Sequence, residues 1–141
     1  QHNAELTIQE LSKEVHLSTT PCWKRIRRLE KDGVIQKRVA LLDAEKVGAG
    51  VTVFVAIKTN QHNREWLEHF ASSVEDMPEI LDFYRMSGEI DYLLRVVVSD
   101  IAAFDDFYQR LISRVPLSDV TSSFAMEKIK HTTALPIATT E

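Results

Sequence analysis

Between residues 20 and 38 the chain sets Lys24, Arg25, Arg27, Arg28, Lys31, Lys37 and Arg38 against only two acids, Glu30 and Asp32. Guanidinium and ammonium groups at this density hold phosphate well. The formal net charge of the whole chain is -4, so general solubility does not explain a local basic run. The spacing predicts one helix, with Thr20 as N-cap, Pro21 at the first helical position and Gly33 as the stop. Cys22, Ile26 and Leu29 recur on its inner face, while Lys24, Arg25, Arg28 and Lys31 fall largely on the other side. Presented with its N-terminal turns to a DNA major groove, this helix offers Thr19, Thr20, Trp23, Lys24, Arg25 and Arg28 as contacts. Arginine can donate two bonds to a guanine edge, whereas lysine and threonine mostly hold phosphates. Lys31, Lys37 and Arg38 would add flanking phosphate contacts. The plainer account is a solvated charged face; the N-cap, the short turn before it and the acidic remainder weigh against it. Trp23 either wedges against DNA or packs on a wing, and Cys22 reads as packing between helices rather than as a redox switch.

A second set of residues lies in the loop from Met86 to Tyr92. Gly88 lets the backbone approach a ligand closely, and a turn there leaves amide donors free for a carboxylate. Asp91 can pair with an α-ammonium group, Ser87 can hydrogen-bond either end, and Met86 and Tyr92 can border a side-chain pocket. On these residues alone a tight hairpin, with Asp91 capping the turn and Tyr92 in the core, is the simpler account. Catalysis has little support. The five histidines show no spacing with cysteine or carboxylates that suggests a metal, and there is no P-loop, dinucleotide fingerprint or nucleophile elbow.

These residues need elements to position them. Thr7 and Glu10 form a T-x-x-E capping box with Leu6 and Leu11 as its staple, opening a short helix with Ile8, Leu11 and Val15 on one face. A turn at 16–19 joins it to the basic helix. Residues 34–42 read as extended, with Lys37 and Arg38 at a hairpin tip or wing, and residues 43–50 (DAEKVGAG) as a joint. Residues 51–59 form a strand, 63–76 a helix, 80–86 and 92–98 a hairpin, a helix follows Asp100, and 120–129 form a last strand. The order βαββαβ predicts a ferredoxin-like module. Domains are expected at 1–36 (DNA binding), 37–50 (strand and hinge) and 51–141 (effector binding and oligomerisation). Phe54, Ala56, Leu93 and Val97 make the second face of the sheet apolar as well. Another subunit covering it gives a dimer at least; the alternative is the N-terminal module folding back over it. Charge divides in the same way: residues 1–50 carry nine Lys/Arg and seven Asp/Glu, residues 51–141 eight and fourteen. One cysteine fits a reducing cytoplasm, no apolar run reaches the length of a membrane span, and the polar start is no signal peptide.

The segments L-S-x-x-P-C-W-K-R-I-R-R-L-E-x-D-G-V-I at 17–35, A-L-L-D at 40–43, M-S-G-E-I-D-Y-L-L-R-V at 86–96 and S-S-F-A-M-E-K-I-K-H-T-T-A-L-P at 122–136 resemble the Lrp/AsnC (leucine-responsive, or feast/famine) transcription factors. The resemblance spans nearly the whole chain. It implies an α+β protein, a winged helix-turn-helix followed by the ferredoxin-like sensor, from a bacterium or archaeon. It also implies dimers that assemble into octamers or related rings, and an amino-acid effector bound between sensor modules, with double-stranded DNA as the other partner and no cofactor. On this reading Ser87, Gly88, Glu89 and Asp91 serve the effector, with Thr121 and Ser123 on the last strand as weaker additions. Family members begin with one more helix, of which Gln1 looks like the end. Two alternatives remain: a sensing or assembly module of the same fold that no longer binds DNA, and a small ferredoxin-like enzyme.

Overall fold

The computed structural model describes residues 1–137; residues 138–141, the end of the expected sensor module, lie outside the described residues. The chain forms two compact units, one of residues 1–41 with the tail from Ile129, the other Leu42–Lys128.

In the first unit α1 (Ile8–Glu14) opens on the expected capping box. The Glu10 N–H donates to Thr7 Oγ1 at 3.2 Å, and the Thr7 N–H donates to Glu10 Oε2 at 2.7 Å. His16, in the left-handed region at φ 51°, turns the chain. The second helix, α2 (Thr19–Lys31), starts two residues earlier than the sequence suggests. Ser18, not Thr20, is the N-cap: its carbonyl takes the first helical bond, from the Cys22 N–H at 3.2 Å. Pro21 sits third in the helix at no cost, because the first turn's N–H groups have no intrahelical acceptor anyway. Gly33, at φ 72°, ends the helix as expected. The strand expected within 34–42 does not form. Residues 34 and 35 bend and 36–42 take no regular structure, and among the described residues no ladder forms to hold them as a strand. Residues 44–48 make a turn, tied by Asp43 Oδ1 accepting from the N–H groups of Glu45 and Lys46.

The second unit is βαββαβ: β1 (Val51–Lys58), α3 (Arg64–Val74), β2 (Ile80–Arg85), β3 (Tyr92–Val98), α4 (Ile101–Arg114) and β4 (Asp119–Phe124). The sheet order is β2-β3-β1-β4 with every neighbouring pair antiparallel, the ferredoxin-like arrangement. Asn63 and Asp100 cap the two helices by accepting from the N–H groups of Trp66 and Ala103. β4 stops five residues short of its expected end at 129. The last bond of the ladder, from the Ala125 N–H to Thr52 O, falls one residue from the start of its partner β1 at Val51. Val53, Val55, Ile57, Leu94 and Val96 are fully buried against Phe70, Phe107 and Leu111 of the helices. The other sheet face carries Phe54, Tyr84, Leu93 and Val97; Phe54 is 39% and Tyr84 53% exposed.

Three ion pairs stiffen this unit: Arg95–Asp82 across two strands, and Arg110–Glu79 and Arg114–Asp76 between α4 and the loop before β2. Arg114, through its hydrogen bond and charge, holds the Asp76 carboxyl below its usual range. Burial pushes Glu79 upward, but the Arg110 hydrogen bond, the Glu79 backbone and the nearby guanidinium charges bring it net below. Both folded-state values lie under the unfolded ones, so this stability is complete above the unfolded values. It is lost as pH falls through the folded ones. The urea midpoint is therefore expected to drop on acidification from about pH 5 to about pH 3. The double variant Arg110→Ala/Arg114→Ala should show a flatter decline; an equal slope would reject these pairs as its source.

Candidate nucleic-acid interface and ligand cavity

At about 100° per residue, the exposed part of α2 resolves into a crest and two flanks. Thr20, Lys24 and Lys31 form the crest, Arg25 and Arg28 share one flank, and Trp23 and Arg27 the other, with Thr19 beside them nearer the packed side. Each of these side chains is exposed, while Cys22 is buried on the opposite face. Among the described residues, no carboxylate pairs with Lys24, Arg25, Lys31 or Lys37. Arg28 leans on Asp32 at 3.4 Å, a long contact between exposed groups that phosphate can displace. Trp23 lies under the Arg27 guanidinium of its own helix, 5.5 Å from ring centroid to Cζ, and is half exposed. Arg27 joins the exposed basic side chains of α2, a place its sequence spacing alone does not single out. Glu30 in turn accepts from Arg27 at 3.2 Å and from Arg38 at 2.7 Å.

In the second unit a cavity of about 280 Å³ opens beside the β2–β3 loop, lined by His62, Asn63, Arg64, Leu67, Arg85, Met86, Asp91 and Tyr92. Three expected residues, Met86, Asp91 and Tyr92, are among them. Ser87, Gly88 and Glu89 are exposed in the loop outside this lining, and Gly88 holds φ 120°, where an added side chain would be strained. Thr121 and Ser123 are not brought to the cavity; they lie on the open sheet face, opposite Ala56 and Phe54. Asp91 is first a bracket. Its N–H donates to Ile57 O, its carbonyl accepts from the Met86 N–H, and its Oδ2 accepts from the Thr59 N–H at 2.8 Å. Oδ1 remains, 3.6 Å from His62 Nδ1. Tyr92 is 4% exposed and packs against Trp66, Phe70 and Phe83, so it is both core and cavity wall. His62, Asn63, Arg64, Leu67 and Arg85 were missed, because the β1–α3 connection meets the hairpin only through the fold. Among the described residues no cluster of His, Cys, Asp and Glu is placed to hold a metal, and no helix is long and apolar enough to cross a membrane.

A winged helix-turn-helix unit joined to a ferredoxin-like ligand-binding unit defines a transcriptional regulator that carries its own sensor. Residues 1–36 match the winged helix-turn-helix DNA-binding family and residues 52–135 the Lrp/AsnC ligand-binding domain. The chain belongs to the Lrp/AsnC family of DNA-binding transcriptional regulators. It is 57% identical to the DNA-binding transcriptional activator DecR of Escherichia coli, over 97% of this chain and 91% of that one. It is 49% identical to the glutamate uptake regulatory protein of Zymomonas mobilis, over 99% and 85%. An AsnC-family regulator from Agrobacterium tumefaciens superposes with a TM-score of 0.93 at 57% identity, covering 96% and 89% of the two chains. A Neisseria meningitidis regulator solved with L-methionine superposes at 0.88 with 39% identity, covering 95% and 87%.

Proposed function

We propose that an amino acid, held by its head group in the cavity beside Asp91, changes how this regulator binds duplex DNA or assembles. The observation that carries the reading is the presence of opposite charges in one cavity lining: Asp91 for an ammonium and Arg85 for a carboxylate, with Leu67, Met86 and Tyr92 in the same lining for a side chain. Arg64, also in the lining, keeps only a long surface contact with Glu68 at 3.5 Å and is the second cation available to the carboxylate. The methionine-bound Neisseria relative supports an amino-acid effector. DNA is read by α2, with Arg25 and Arg28 on base edges and Lys24, Lys31, Lys37 and Arg38 on phosphates. A second copy covers the Phe54 and Tyr84 face, and dimers so formed build the octamers or rings of the family. The protein works in the cytoplasm and without catalysis.

A thermal-shift screen of the twenty amino acids identifies the effector, since a ligand that binds the folded protein raises its melting temperature. Asp91→Asn keeps an oxygen for the Thr59 N–H while removing the charge. That variant, and Arg85→Ala, should each weaken the effector about tenfold or more, the size of a hydrogen bond to a charged group. Unchanged calorimetric affinity in both would reject the cavity.

A further inference from the structure

We propose that Glu30 is a positioning residue for duplex binding, tying the segment after α2 to the helix so that Arg27 and Arg38 meet DNA as a fixed pair. Among the described residues, 34–42 pair with no strand. Two contacts hold them to α2: the Ile35 N–H on Leu29 O at 3.0 Å and Arg38 Nη1 on Glu30 Oε1 at 2.7 Å. The other oxygen of Glu30 accepts from Arg27 at 3.2 Å, and Arg27 rests over Trp23. The result is a chain, Trp23–Arg27–Glu30–Arg38, that fixes two guanidinium groups. Each uses one nitrogen on the carboxylate and keeps further N–H donors for phosphate. A guanidinium already held loses less side-chain freedom on docking than a free one. The hydrogen bond from Arg38 also holds the Glu30 carboxyl below its usual range. An acid in a phosphate-binding face weakens general attraction to DNA. Glu30 thus trades non-specific affinity for geometry, and those two effects can be measured apart.

The inference rests on α2 as the groove helix, and the experiment separates the two ideas. The full chain is titrated with a duplex enriched from random sequence by repeated selection on the unaltered protein, and with a scrambled duplex of the same composition. Failure of the unaltered protein to bind either duplex would reject the DNA reading itself. Glu30→Gln keeps shape and removes charge. It should weaken the selected duplex about three- to fivefold, the scale of one surface ion pair, and leave the scrambled duplex bound equally well or more tightly. In an Arg38→Ala background the same change should lower the selected-to-scrambled ratio no further. A ratio unmoved by Glu30→Gln, a parallel loss on both duplexes, or an equal fall in the Arg38→Ala background would each overturn the proposal.

Discussion

Phe70→Ala should cost the second unit about 3–5 kcal/mol of stability and loosen its hold on the effector as well. Phe70 is fully buried, with its ring centroid 4.8 Å from Phe83, 5.1 Å from Trp66 and 5.6 Å from Tyr92. Truncation removes the transfer free energy of the ring and leaves a void that neighbouring aromatics fill only in part. Tyr92 spans the two effects, since one side of it packs on Phe70 and the other walls the cavity. Urea unfolding measures the first effect and calorimetry with the screened ligand the second. Met126→Ala, at a position 96% exposed, serves as the control and should stay within about 0.5 kcal/mol of the unaltered protein. A Phe70→Ala variant within that same margin would mean that the aromatic cluster is not the core described above.

The second large effect is on DNA. Arg25 and Arg28 share a flank of α2, so replacing both with alanine should lower affinity for a selected duplex about a hundredfold or more. Each arginine bound to a guanine edge contributes about 1–3 kcal/mol of discrimination. Both side chains are exposed, and the one ion pair involved, Arg28 with Asp32, is a long surface contact, so the melting temperature should hold. Electrophoretic mobility shift or fluorescence anisotropy reads the affinity. Binding undiminished by the double change would mean that another surface faces the groove.

Local signals were readable because they act within one turn or one strand. The Thr7–Glu10 box and Asp100 at the head of its helix need only a side chain and an amide three residues away. The doubly apolar pattern of β1 and β3 announced the central strands and a second face, which the register places on Phe54 and Leu93. What escaped notice depends on the tertiary fold. Asp91 was read as a ligand group or a turn cap, yet it spends one oxygen bracing Thr59, thirty-two residues away. The cavity draws His62 to Leu67 from one connection and Arg85 to Tyr92 from another, and no periodicity in either foretells that they meet. Residues 34–42 looked like a strand because their residue types suit one. A strand, however, is made by its partner, and among the described residues none pairs with them.

The most direct measurement of the central claim, that α2 presents a phosphate-reading cationic face, is duplex affinity as a function of salt. Log affinity should fall linearly with log salt at a slope of about −3.6 or steeper, as expected if Lys24, Lys31, Lys37 and Arg38 each release a counterion from a phosphate. An affinity indifferent to salt, or no duplex binding even at low ionic strength, would contradict it.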